Sequence, residues 1–142
     1  MVSLKSKLYT VGETILDMDL KVNKVVFIMQ GTCSLCGHCL NKETKELMKF
    51  ELVTLEEGSW YGDYQVLIKT NTAYELSVKT PTVKALNRIA EDQALIFEID
   101  GDKLNKICER YPDYKRFLLT RANLRRAYFI GVFLENRHEL ML

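Results

Sequence analysis

Short apolar runs separated by turn residues fill the chain as far as Ile99, and the spacing then becomes helical. Leu8-Tyr9 leads to Gly12. Thr14-Ile-Leu16 follows, and Val25-Val-Phe-Ile-Met29 stops at Gln30-Gly31. Thr32-Cys-Ser-Leu-Cys36 alternates small polar and apolar residues, which predicts a half-exposed strand. Gly37 to Lys45 is polar and turn-rich, and Phe50, Leu52 and Leu55 bring the chain back as another strand. A Gly62 turn then opens a short helix over Tyr64 to Lys69. Ala73 to Lys79 is extended again, Pro81 interrupts it, and Val83 to Asp92 fits neither period. Ala94-Leu-Ile-Phe-Glu-Ile99 is a β run closed by Asp100-Gly101.

Two helices follow. Asp102 to Arg110 places Leu104, Ile107 and Cys108 at helical spacing. Tyr111-Pro112 breaks it, because proline disfavours helix at the preceding residue. From Asp113 toward Asn136, Phe117, Arg121, Leu124, Tyr128 and Val132 form an amphipathic stripe among Arg116, Arg125 and Arg126. This stripe is expected to pack on the β body, with the arginines solvated; a mobile lid or a subunit contact is the functional alternative. Short strands spaced by turns predict a β sandwich or barrel in a single domain.

Composition narrows the function. At 142 residues, 47% hydrophobic and 27% charged, the chain is an ordinary globular domain. A net charge of +1 gives no field to attract a nucleic acid polymer or a membrane surface. No apolar run reaches the ~20 residues needed to span a bilayer, so no direct membrane insertion is expected.

Cys33, Cys36 and Cys39 form CxxCxxC, and Cys36-Gly-His-Cys39 matches a disulfide-isomerase tetrapeptide. Redox chemistry needs the first cysteine at a helix N-terminus, whereas this motif follows a strand and sits near an expected hairpin end at Gly37. Zinc held with His38 or Cys108 is a second reading. A reduced, structural set of thiols is the expectation, and it points to an intracellular location. His38 and His138 lie far apart and lack a nucleophile partner, so no enzyme is expected.

Leu55 to Leu67 carries the most specific signal. Gly62 can bring the backbone close to a ligand, and Asp63 begins a helical turn whose free N–H groups favour an anion. With Leu8…Gly12-Glu13…Ile15, Val25-Val-Phe-Ile28, Gly58-Ser-Trp-Tyr-Gly62-Asp63 and Ala94–Ile99 in this order, the chain resembles the cyclic-nucleotide-binding domain family over nearly its whole length. Tyr111-Pro112 and the helix through Arg121 to Phe129 look most like this domain in tetrameric potassium channels, with Gly-Asp-Tyr-Gln similar to channels of ciliate type.

The resemblance implies a mainly β fold, a β roll over about 7–100 with C-terminal helices over about 101–137, as part of a larger channel. It implies a regulatory module on the cytoplasmic side of a membrane, in contact with the rest of the channel and its neighbouring subunits. The ligand would be cAMP or cGMP, with no other cofactor and no metal. The implied ligand-binding residues are Tyr61, Gly62, Asp63, Tyr64, Gln65, Thr72 and Ala73. Asp63 would hold the ribose hydroxyl, N–H groups near Gly62 and Gln65 would face the phosphate, and Tyr64 and the Phe117–Tyr128 face would touch the rest. Three departures stand out. Asp63 replaces the usual glutamate, no arginine stands near Thr72-Ala73, and the span to Ala94 is long. A different register would use Lys84 or Arg88, and Lys69 or Lys79 could replace the arginine in part. A degenerate domain without nucleotide binding is the alternative, and Leu134–Leu142 is either a tail or a segment that fills the pocket.

Overall fold

The computed structural model describes residues 4–18, 20–72, 74–80 and 93–140, with side chains described as far as 135. Eight strands and three helices are described. They are β1 (Leu4–Thr10), β2 (Thr14–Leu16), β3 (Lys24–Gln30), β4 (Thr32–Leu40), β5 (Leu47–Leu55), β6 (Trp60–Tyr61), α1 (Asp63–Ile68), β7 (Glu75–Lys79), β8 (Gln93–Asp100), α2 (Gly101–Arg110) and α3 (Pro112–Leu140). The strands form two antiparallel four-stranded sheets, ordered β1-β8-β3-β6 and β2-β7-β4-β5. Alternate residues of both sheets meet in one core, where Val26, Ile28, Leu35, Leu76 and Ile96 are fully buried.

The cysteine segment differs from its sequence reading. Thr32–Cys36 is buried on both faces, and the strand continues through Gly37 to Leu40. It is central, paired with β5 on one side and β7 on the other. Over its polar face Ser34 donates to Glu51 at 2.7 Å, and Lys79 reaches the same carboxylate at 2.7 Å. Gly37 is mid-strand and does not end a hairpin. A Cβ there would lie 2.7 Å from Leu52 Cδ1 and 3.0 Å from the Phe133 ring. The turn comes later, where Asn41 Oδ1 accepts from the N–H groups of Glu43 and Thr44, so β5 begins at Leu47.

The helices start where local chemistry dictates. Asp100 caps α2 by accepting from Asp102 N at 2.9 Å and Lys103 N at 3.2 Å. Pro112 opens α3, its fixed φ suiting a first helical position. This helix continues to Leu140, so residues 134–140 form no separate tail; Met141 and Leu142 lie outside the described residues, as do Ala73, Lys84 and Arg88.

Most of the anticipated stripe on α3 faces outward, although Val132 packs against the core. Phe117, Leu124 and Tyr128 are 53%, 69% and 59% exposed, while Ala122 and Phe129 are buried. The true seam, Leu118–Ala122–Arg125–Phe129–Phe133, is offset by one residue, about 100° around the helix. Phe129 and Phe133 decide the matter by inserting against Tyr61, Tyr74 and Phe50, with ring centroids 5.6–5.9 Å apart.

Candidate functional site

The β6–α1 junction brings together Tyr61, Gly62, Asp63, Tyr64 and Gln65 beside Thr72. Gly62 has φ 101°, and a Cβ there would approach Lys24 O to 2.8 Å. Only glycine makes this turn without strain. The first intrahelical bond, Val66 N–H to Gly62 O at 2.9 Å, closes the turn, and the N–H groups before it have no intrahelical acceptor.

Helix α3 covers this turn. Arg125 forms an ion pair with Asp63, and Trp60 Nε1 donates to Asp63 Oδ2 at 3.3 Å. The Arg125 guanidinium also lies 4.5 Å from the centre of the Trp60 ring, and Arg126 lies 4.8 Å from that of Tyr64. Burial lowers the Arg125 pKa below the ordinary arginine value, and the Asp63 carboxylate stands beside it as counter-charge. The carboxylate expected to receive a sugar hydroxyl is therefore already engaged by the protein itself.

Thr72, which the resemblance sets beside a phosphate, has its hydroxyl fully used. It donates to Tyr74 O at 2.8 Å, and accepts from Tyr74 N–H at 3.1 Å and from the Tyr61 hydroxyl at 2.8 Å. Gln65 in turn donates to Tyr61 Oη at 3.2 Å. Burial pushes the Tyr61 phenol up to about 12, which keeps it a neutral donor. The proposed lysine substitute Lys79 is committed to Glu51 and Thr54, while Lys69 is exposed beyond α1. Lys79 is therefore not free to replace the arginine.

Little space is left. The chamber bounded by Tyr61, Gln65, Ala122, Arg126 and Phe129 holds about 20 Å³. That admits one water molecule, against the ~300 Å³ or more of a small-molecule site. A second cleft of about 200 Å³ lies on the other side of the Asp63–Arg125 pair, between the β1-β8-β3-β6 sheet, α2 and α3.

Sequence reasoning found the turn and missed Arg125 and Trp60. Arg125 was grouped with solvated arginines. Its place on the face of Ala122 and Phe129, three residues after one and four before the other, was the available signal.

All four cysteines are free. Burial pushes Cys33 up to about 12, and Cys36 sits in mid-strand with its sulfur 3.2 Å from Ser34 Oγ, far from the helix terminus that would activate it. Among the described residues no three His, Cys, Asp or Glu side chains converge as metal ligands, and no helix is long and apolar enough to cross a membrane.

No protein-family model matches the chain, and no curated protein matches it in sequence. Its fold does match solved structures. The C-linker and cyclic-nucleotide-binding homology domain of zELK channels, crystallized in the presence of cAMP, superposes with a TM-score of 0.60 at 13% identity, covering 84% of this chain and 51% of that one. The regulatory domain of Toxoplasma gondii PKA, co-crystallised with cAMP, gives 0.62 at 10% identity, covering 86% and 39%. A candidate cyclic nucleotide binding protein from Ruegeria pomeroyi gives 0.59 at 13% identity, covering 94% and 51%. The chain has the cyclic-nucleotide-binding β-roll fold with C-terminal helices. It spans about half the length of the zELK and Ruegeria pomeroyi structures.

Proposed function

We propose that this chain is a non-catalytic regulatory module of the cyclic-nucleotide-binding fold whose ligand cassette is closed by its own helix α3. It works through the position of that helix and not through a bound cyclic nucleotide. The observation that carries this reading is the ion pair between Arg125 and Asp63, with Phe129 and Phe133 occupying the space behind it. The missing phosphate arginine agrees, since a charged hydrogen bond is worth about 1.5–3 kcal/mol, or one to two decades of affinity. A place on the cytoplasmic side of a potassium channel, in contact with neighbouring subunits, is part of the proposal. It is supported by the zELK likeness and by the Tyr111-Pro112 break ahead of an arginine-bearing helix.

Calorimetric titration with cAMP and with cGMP tests the reading. The expected result is no saturable heat in the micromolar range. Micromolar binding that disappears in Asp63→Ala would overturn it and make the chain a ligand sensor.

A further inference from the structure

The cleft on the far side of the Asp63–Arg125 pair shares only Asp63, and Arg121 of the Phe117–Tyr128 face, with the residues set above beside a nucleotide. Its volume is about 200 Å³. Its floor is aromatic: Phe27 and Trp60 stack with ring centroids 6.3 Å apart and planes 16° from parallel. Leu104 of α2 and Leu118 of α3 form the apolar walls, and Arg121 and Arg125 line it from α3. Among the described residues Asp63 is the one carboxylate that lines it. Arg125 is paired with Asp63, whereas among the described residues no carboxylate pairs with Arg121, which lies 4.8 Å from the centre of the Phe117 ring. The lining therefore combines a flat apolar floor with an excess positive charge.

We infer that this cleft is a binding site for a compact apolar monocarboxylate, a single ring or short chain carrying one anionic group. The apolar part lies over Phe27 and Trp60 between Leu104 and Leu118, and the carboxylate meets Arg121. The size excludes a nucleotide, because small-molecule sites for drug-sized ligands begin at roughly 300 Å³. The charge selects an anion, and guanidinium presents the forked donors that carboxylate geometry fits. An occupant touches the sheet, α2 and α3 at once, so binding holds α3 on the roll. The site stands independently of whether the cassette binds cyclic nucleotides.

Trp60 is the single tryptophan of the chain and forms the floor, so its fluorescence reports occupancy directly. The probes are phenylacetate and its neutral isostere phenylacetamide, titrated into the intact chain. Phenylacetate is expected to give a saturable change, with phenylacetamide about five- to tenfold weaker. Arg121→Gln, at an exposed position, should bring phenylacetate down to the amide's affinity and leave the amide unchanged. Leu118→Phe should fill the cleft and abolish both, with circular dichroism confirming that the fold is retained. Equal binding of acid and amide, wild-type binding in Arg121→Gln, or a response that never saturates would each overturn the assignment.

Discussion

Phe129 is the residue on which the closed cassette depends, and Phe129→Ala puts a number on that dependence. The side chain is 7% exposed, and its ring lies 5.9 Å from Tyr61 beside a chamber that already holds about 20 Å³. Core Phe→Ala substitutions cost about 3–5 kcal/mol, rising with the cavity left behind. Helix α3 lies on the outside of the roll and can settle inward, so the lower end, about 3 kcal/mol, is expected. For a domain of this size that is a fall in Tm of roughly 10 °C. Leu124→Ala, at a residue 69% exposed on the opposite side of the same helix, should change stability by no more than about 0.5 kcal/mol. The assay is urea unfolding followed by Trp60 fluorescence, with a thermal scan by circular dichroism alongside. Equal losses in the two variants, or a larger one at Leu124, would refute the assignment of the buried face and the closed cassette with it.

Gly62→Ala must place a Cβ 2.8 Å from Lys24 O at φ 101° and should destabilise by about 1–3 kcal/mol in the same unfolding assay, with a neutral result removing the steric argument for the turn. Burial opposes ionisation of Glu98, but hydrogen bonds from Lys24 and Tyr9 outweigh it and hold its pKa below the ordinary 4.5. A depressed folded pKa contributes stability above the unfolded value and loses it as pH falls through the folded one. Glu98→Gln should therefore flatten the decline in stability below about pH 4.5, and an unchanged acid limb would count against it. The reduced protein should fail to reduce insulin disulfides, and Cys33 should resist thiol reagents until the chain unfolds. Reductase activity abolished by Cys36→Ser would contradict the first, and modification of Cys33 in the folded chain the second.

The strands were legible because short apolar runs bounded by turn residues need only local sequence. Val25–Met29 and Ala94–Ile99 are such runs, and the order of turns between them suggested a sandwich or barrel, with the roll implied by the family resemblance. Reading stopped short where burial came from both sides. In β4 the polar stretch from Gly37 resembles a turn, yet the strand runs on to Leu40, with Leu52 and Phe133 occupying the space above Gly37. Helix α3 offered two apolar stripes one residue apart, and the choice between them rests on contacts with Tyr61 and Tyr74, which are distant in sequence. The cassette turn was visible in Gly62-Asp63. That its carboxylate is neutralised from within was not, since Arg125 announces itself only once Ala122 and Phe129 are known to face the roll.

The geometry of α3 has a mechanical consequence. Pro112 joins it to α2 at the Tyr111 break, and Arg125 seats it roughly 20 Å along its axis at 1.5 Å per residue. Its far end at Leu140 lies about 42 Å from the same pivot, on the same rise per residue. A stiff rod pivoting at Pro112 doubles displacement between those points. If the Arg125 seat lifts by about 2 Å, enough to part an ion pair, the tip sweeps about 4 Å. The helix then has the geometry of a lever whose fulcrum is a proline, whose catch is the Asp63–Arg125 pair together with the Phe129 and Phe133 rings, and whose output is its far end.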